Sequence, residues 1–232
     1  MNLHLPSPSP RHVPSVTPAR VARDGSVASV VSRIGAAFEK LVKDSSEPDR
    51  DVSGVGVFAG GRFYRVRSLT EADTLLLHNF LQTGLGKESR EQRFLSASPS
   101  VSIAAATYLA DRDGHDRVAL VATDDDADGK IVAMVEYANV ASSPDIPPEV
   151  ALAVADDYQG HGLGRQLLHM LAVLAVAAGQ NVWSGTIASH NAAAFAVLET
   201  VGNVVVCETS AGVTTVLVYL ERPKIFVGQE RR

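Results

Sequence analysis

The stretch Asp156–Gly164, DDYQGHGLG, places three glycines at alternate positions directly before a long apolar segment. The preceding residues, EVALAV, predict a strand, and the following LGRQLLHMLAVLAVAA predicts a helix from Leu163 to Ala178. Because glycine adopts backbone conformations that other residues avoid, the stretch predicts a tight turn from strand to helix. Two interpretations of this turn are open. Either the glycines serve the turn alone, or backbone N–H groups at the helix start bind an anion with help from Arg165.

Two common nucleotide-binding loops do not fit this turn. A P-loop requires Lys and Ser or Thr after its last glycine, but Arg165 and Gln166 follow Gly164. A dinucleotide-binding loop has its third glycine where Arg165 stands, and it needs an acidic residue about 20 positions further on. That later region reads NVWSGTI and contains no acid. We therefore exclude both loops.

Composition restricts the protein class further. The chain has 232 residues, of which 46% are hydrophobic, and this suffices for one domain with a core. Its net charge of −5 argues against nucleic acid as a partner. A single cysteine, Cys207, and seven histidines without metal-site spacing give no expectation of a metal. No apolar run reaches the length of about 20 residues that spans a membrane, and the N-terminus lacks the apolar core of a signal peptide. We expect a cytoplasmic protein without membrane contact.

The chain divides into segments of different composition. Residues 1–25 are rich in Pro and Ser and are predicted to be disordered. Residues 26–45 predict an amphipathic helix. Its stretch 26–43 is expected either to pack on the main domain or to bind a second copy of the chain or another partner. Residues 46–60 are interpreted as a linker, 61–222 as the main domain and 223–232 as a C-terminal tail. A regulatory role for residues 1–50 is a further hypothesis.

Within the main domain the pattern alternates between strands and helices. Predicted strands cover 62–69, 116–124, 130–140, 148–156 and 181–187, with a closing hairpin over 203–221. Predicted helices cover 70–85, 87–97, 163–178 and 189–202. This order predicts an α/β fold with a mixed, mostly antiparallel sheet and one crossover connection at the glycine turn.

The pattern Gln159-x-x-Gly162-x-Gly164, with VALAVAD before it and ASHNAAAFAVLETVG after it, resembles the pyrophosphate loop of the Gcn5-related N-acetyltransferase (GNAT) family. The element order over about residues 62–220 is similar to that fold, which has a splayed strand pair and flanking helices. The resemblance implies acetyl-CoA as co-substrate, with main-chain hydrogen bonds from the strand end to the pantetheine. The residues that it implies for acetyl-CoA binding are Val154, Ala155, Gln159, Gly160, His161, Gly162, Leu163, Gly164, Arg165 and Asn191.

A carboxylate is expected to accept the proton that the acceptor ammonium must lose before it attacks. Glu149 begins the strand that leads into the glycine turn, and PEVALAVADDYQGHGLG resembles bacterial protein lysine acetyltransferases, in which a glutamate at this place is the base. The alternatives are a solvated role for Glu149, or Glu136 on the preceding strand as base. Many family members carry a tyrosine that protonates the leaving thiolate, but this sequence has Leu198 there, so no general acid is assigned.

The stretch 65–95 is similar to the start of the same protein acetyltransferases and bears on the acceptor. It makes Thr83, Ser89, Arg90, Arg93 and Phe94 candidates for the acceptor groove. The expected activity is direct acetyl transfer from acetyl-CoA to a primary amine, with a protein lysine favoured. A small-molecule amine as acceptor, or a non-catalytic module that binds acyl-CoA, are the alternatives.

Overall fold

The computed structural model describes residues 55–96, 100–114, 116–139 and 146–221. The predicted disordered segment 1–25, the helix 26–45 and the tail 223–232 lie outside the described residues. The strands are β1 Val55–Ala59, β2 Arg62–Ser68, β3 Arg117–Asp124, β4 Lys130–Ala138, β5 Glu149–Val154, β6 Val182–Ala188, β7 Gly202–Ser210 and β8 Val213–Leu220. The helices are α1 Thr74–Asn79, α2 Lys87–Phe94, α3 Ile103–Ala110, α4 Leu163–Ala177 and α5 Ala192–Leu198.

The eight strands form one sheet in the order β1-β2-β3-β4-β5-β6-β8-β7. Every neighbouring pair is antiparallel except β5 and β6, which are parallel because α4 connects them as a crossover. These two strands are joined at a single register position, Glu149 opposite Ser184, and diverge beyond it. The predicted α/β fold with a splayed strand pair is therefore confirmed.

Helices cover both faces of the sheet and create two apolar clusters. Leu163, Leu167 and Leu171 of α4 pack with Trp183 on one face. On the other face, α1, α3 and the segment between α1 and α2 pack on Met134 and its neighbours. Because β4 lies between the two layers, all its residues from 131 to 137 are buried. No helix in the described ranges has both the length and the apolar character to cross a membrane.

Several element boundaries differ from the sequence-based prediction. Residues 55–59, assigned to the linker 46–60, form strand β1, which pairs with β2 through a turn at Gly60 and Gly61. The linker interpretation is therefore wrong for residues 55–59. Helix α3 was not predicted from the sequence. Its N-cap is Ser102, whose side chain accepts a hydrogen bond from the Ala105 amide at 3.1 Å. The helix predicted for 189–202 covers only Ala192–Leu198, and Gly202 begins β7.

Candidate active site

A cleft of about 690 Å³ opens where β5 and β6 part. Its walls come from α2, β5, the glycine turn, the first residues of α4, and α5. All the residues predicted for catalysis or acetyl-CoA binding line this cleft except Ala155 and His161. Those that line it are Glu149, Val154, Gln159, Gly160, Gly162, Leu163, Gly164, Arg165 and Asn191.

The end of β5 offers one main-chain donor to the cleft rather than two. The Ala155 N–H already donates to the Val132 carbonyl at 2.8 Å, and the Ala155 carbonyl accepts from the Tyr158 N–H at 2.8 Å. Successive amides of a strand point to opposite sides, so the Val154 N–H points away from β4 and toward the gap. The expectation of a cofactor hydrogen bond from Ala155 is therefore corrected, and Val154 retains it.

The glycine turn brings backbone amides to the start of α4. Gly160 and Gly162 have φ values of +75° and +82°, in the left-handed region that other residues rarely adopt. Helix α4 begins at Leu163, has no acidic residue in its first turn, and carries the exposed Arg165 as its third residue. The first N–H groups of a helix have no partner within it and carry the positive end of its dipole. The turn can therefore bind an anion.

His161 and Gly164 serve the turn in different ways. The His161 ring packs against the β1–β2 turn, since a Cβ at Gly60 would lie 2.7 Å from it. The imidazole therefore points away from the cleft. Gly164 lies against β5, and a Cβ there would come within 3.0 Å of a Val154 methyl group.

Two carboxamides of the cleft are held by polar contacts. The Gln159 Nε2 atom donates to the Val154 carbonyl at 3.0 Å, to Asp156 Oδ1 at 3.2 Å and to Ser89 Oγ at 3.2 Å. The Asn191 Oδ1 atom accepts from the Ala194 amide at 3.0 Å and so caps α5. Its Nδ2 atom donates to Gln92 Oε1 at 3.0 Å. Sequence reasoning named Ser89 but missed Gln92, which shares a helical stripe with it.

The two candidate bases have different environments. Glu149 is exposed and lines the cleft at the point where β5 and β6 part. Glu136 is buried and forms ion pairs with both Arg93 and Arg112. Since its carboxylate is already engaged by two guanidinium groups, the geometry favours Glu149 as the proton acceptor.

Comparison with known proteins identifies the family. The model of the acetyltransferase (GNAT) family matches residues 87–202, half of the chain. The chain belongs to the GNAT family. A search of curated proteins found no match.

Solved structures share this GNAT fold. The GNAT domain of S. lividans PAT is 24% identical, with a TM-score of 0.64, over 76% of this chain and 100% of that one. The PaiA N-acetyltransferase from Thermoplasma acidophilum, solved in complex with coenzyme A, is 16% identical over 67% of this chain and 98% of that one, with a TM-score of 0.52. A cAMP-binding acyltransferase from Mycobacterium smegmatis is 20% identical, with a TM-score of 0.52, over 84% of this chain and 60% of that one.

The position that holds a tyrosine in many GNAT proteins is apolar here. Leu198 is buried and lines the cleft. Tyr158 also lines the cleft, but its hydroxyl donates to the buried carboxylate of Asp124 at 3.0 Å. Burial raises the pKa of Tyr158, and the hydrogen bond to Asp124 raises it further. The structure therefore gives no assignment for a general acid.

The candidate acceptor residues separate into two groups. Ser89, Arg93 and Phe94 line the cleft of this GNAT domain. The Thr83 hydroxyl instead donates to the Asn79 carbonyl at 2.7 Å, and Arg90 donates to the Gln82 carbonyl at 2.8 Å and to that of Leu85. Thr83 and Arg90 therefore bind backbone carbonyls and do not line the cleft.

Arg93 and Arg112 are charged despite their burial. Burial lowers the pKa of Arg93 to about 10, although the negative charge of Glu149 opposes this shift. Burial also lowers the pKa of Arg112 to about 10, helped by the positive charges of Arg117 and Arg93. Both guanidinium groups thus stay cationic at neutral pH, and both are ion-paired with the carboxylate of Glu136.

Proposed function

We propose that this GNAT protein transfers an acetyl group from acetyl-CoA to a primary amine, with Glu149 as the general base and a protein lysine as the preferred acceptor. The observation that carries the proposal is the placement of Glu149 at the one register position where β5 and β6 are paired. The anion-binding glycine turn lies at the opposite end of the same strand.

The cleft fits acetyl-CoA in shape and in chemistry. From Glu149 to Val154, β5 extends about 17 Å at roughly 3.3 Å per residue, which suits an extended pantetheine arm. Val154 directs an amide toward the gap, and the start of α4 with Arg165 fits the pyrophosphate. Acetyl-CoA supplies the acetyl group as a thioester, so the reaction yields an amide and a thiol.

The protein's own contribution to the chemistry is proton transfer and orientation. The exposed Glu149 carboxylate accepts one proton from the acceptor ammonium and returns it to solvent. Because β5 and β6 diverge, the Val154 N–H lies on the edge of β5 that faces the cleft. Such preoriented donors stabilise negative charge that develops during acyl transfer.

The acceptor side of the cleft favours an amine carried on an apolar stem. Phe94 and Leu95 follow Arg93 at the end of α2 and line the cleft. Among the described residues that line it, Glu149 is the one carboxylate, and the charge of Arg93 is offset by Glu136. A lysine side chain combines a hydrocarbon stem with a terminal cation. For an acceptor that carries a carboxylate beside its amine, the described residues of α2 that line the cleft offer no unpaired cation.

The test combines a binding measurement with an acceptor screen. Calorimetric titration with acetyl-CoA is expected to show binding to the wild type and none to Gly162→Asp, which puts a side chain and a negative charge into the anion site. The acceptor screen compares lysine peptides, the same peptides with arginine in place of lysine, and small amines. Absence of acetyl-CoA binding by the wild type would refute the proposal. Turnover of small amines alone would shift the acceptor class, and binding without any turnover would indicate a non-catalytic module.

A further inference from the structure

Helix α2 is attached to the domain mainly by polar contacts. None of its eight residues is fully buried, the Arg93 side chain keeping an exposure of 15%, whereas α4 buries nine residues. Its one apolar side chain, Phe94, is partly buried and packs against the second apolar cluster. The position of α2 over the cleft therefore depends on which groups its polar residues bind.

Three of these polar contacts lead to the proposed acetyl-CoA site. The Gly86 amide, directly before α2, donates to Asp156 Oδ2 at 3.0 Å. Ser89 Oγ accepts from Gln159 at 3.2 Å, and Gln92 Oε1 accepts from Asn191 at 3.0 Å. Positions 86, 89 and 92 are spaced by three residues, so they follow one stripe along the helix.

The contact at Gly86 is so close that a side chain there would displace either the Asp156 carboxylate or the start of α2. A Cβ at Gly86 would lie 2.3 Å from the Asp156 carboxylate oxygen. The other oxygen of the same carboxylate accepts from Gln159 Nε2 at 3.2 Å. Asp156 therefore connects the start of α2 with the carboxamide of Gln159.

The end of α2 reaches the acceptor side of the cleft. Arg93 is bound to Glu136 on β4, and Phe94 lines the cleft beside it. One short helix thus contacts the residues proposed for acetyl-CoA and carries residues of the acceptor side. The opposite surface of α2 carries an exposed pair, Lys87 and Glu91, at 3.7 Å.

We propose that Ser89 and Gln92 are positioning residues that orient the carboxamides of Gln159 and Asn191 for acetyl-CoA binding. This inference rests on the proposed function. An amide nitrogen has two N–H donors, so Asn191 keeps one donor for a ligand after bonding to Gln92. Its oxygen is already used in the cap of α5, and the bond to Gln92 fixes the direction of the remaining donor.

The test measures acetyl-CoA affinity in variants of α2. Because both carboxamides lose an orienting hydrogen bond, Ser89→Ala/Gln92→Ala is expected to weaken acetyl-CoA binding about tenfold, which corresponds to about 1.4 kcal/mol. The KM for acetyl-CoA rises by the same factor, while kcat at saturation stays within about twofold. Gln92→Glu keeps an acceptor for Asn191 and is expected to restore most of the affinity.

Two controls separate positioning from loss of structure. Lys87→Ala/Glu91→Ala alters the exposed surface of the same helix and is expected to leave acetyl-CoA affinity unchanged. In a double-mutant cycle, the effects of Gln92→Ala and Asn191→Ala on the Kd should be strongly non-additive, because both remove the same bond. Thermal unfolding of every variant is recorded without ligand.

The outcomes distinguish this inference from the proposed function. Three results would each overturn the positioning role. They are wild-type affinity in Ser89→Ala/Gln92→Ala, additive effects in the double-mutant cycle, and an equal loss of acetyl-CoA affinity in the Lys87→Ala/Glu91→Ala control. If the wild type itself does not bind acetyl-CoA, the proposed function fails and this inference fails with it. Binding by the wild type with unchanged affinity in the variants rejects the inference alone.

Discussion

Arg93 of α2 is ion-paired with Glu136 of β4, and the pair lies on the same face of the sheet as Glu149. Glu136 is opposite Ala151, and Ala138 is opposite Glu149, so the two glutamates are diagonal neighbours on adjacent strands. Glu136 also binds Arg112, whose side chain is 4% exposed. The inner carboxylate, Glu136, thus balances buried cations, and the exposed outer carboxylate, Glu149, is the one we propose for proton transfer.

The first prediction concerns turnover in Glu149→Gln. The amide keeps the shape of the side chain but cannot accept a proton, so kcat is expected to fall by about 10²–10⁴. The Kd for acetyl-CoA should stay unchanged, because the anion site is at the other end of β5. Steady-state kinetics and calorimetry measure the two quantities. Glu208→Gln, at an exposed position on β7, serves as the matched control. Undiminished turnover in Glu149→Gln would remove Glu149 as the base.

The second prediction concerns stability in Glu136→Gln. Removing this charge leaves Arg93 and Arg112 as buried cations without their shared partner, and breaking a buried pair in this way costs about 3–5 kcal/mol. Thermal unfolding should show a Tm lower by roughly 10 °C, at about 2–4 °C per kcal/mol for a domain of this size. A variant with wild-type Tm but no turnover would instead identify Glu136 as the base.

Much of the fold and of the cleft was predictable because the signals are local in sequence. The glycine turn and the strand before it are contiguous, so Gly162, Arg165 and Glu149 could be placed from the pattern alone. Strand β1 was missed because Gly56 interrupts its short apolar run. In the structure Phe63 covers that glycine, since a Cβ there would lie 2.0 Å from the Phe63 ring.

The polar framework around the cleft was not predictable from sequence periodicity. Glu136 binds arginines that are 43 and 24 positions away, and Asn191 binds Gln92 across 99 positions. Such pairs depend on how α2 lies across the sheet, which no local pattern specifies. The expectation for Ala155 failed for a related reason, since the pairing with Val132 decides which amide of β5 faces the gap.

The third prediction concerns stability at acid pH. Burial alone would raise the pKa of Asp73, but the ion pair with Arg67 and hydrogen bonds from Thr70 outweigh it and lower that pKa below its usual 3.8. A carboxyl group whose pKa is lower in the folded than in the unfolded state stabilises the folded protein at pH values above the unfolded pKa. This stabilisation is lost as the pH falls through the pKa of the folded state. Arg67 binds both Asp73 oxygens at 2.7 Å.

Asp73→Asn should therefore reduce the free energy of unfolding at pH 7, and the difference from the wild type should shrink as the pH falls below about 4. Urea unfolding at several pH values measures this. Asp125→Asn is the control, because its pair with Arg65 at 2.8 Å is half exposed and contributes at most about 1 kcal/mol. A difference between Asp73→Asn and wild type that is constant from pH 7 to pH 3 would contradict the assignment.

The fourth prediction concerns the contact between α2 and the glycine turn. Gly86→Ala places a methyl group 2.3 Å from Asp156 Oδ2, so either the helix or the carboxylate must move. Because the same carboxylate holds Gln159, acetyl-CoA binding is expected to weaken several-fold. Calorimetry measures the effect. Asp156→Ala alone removes the contact without creating a clash. Adding Gly86→Ala to Asp156→Ala should therefore cause no further loss of acetyl-CoA affinity. If Gly86→Ala weakens binding equally with and without Asp156, the clash with this carboxylate is not the cause.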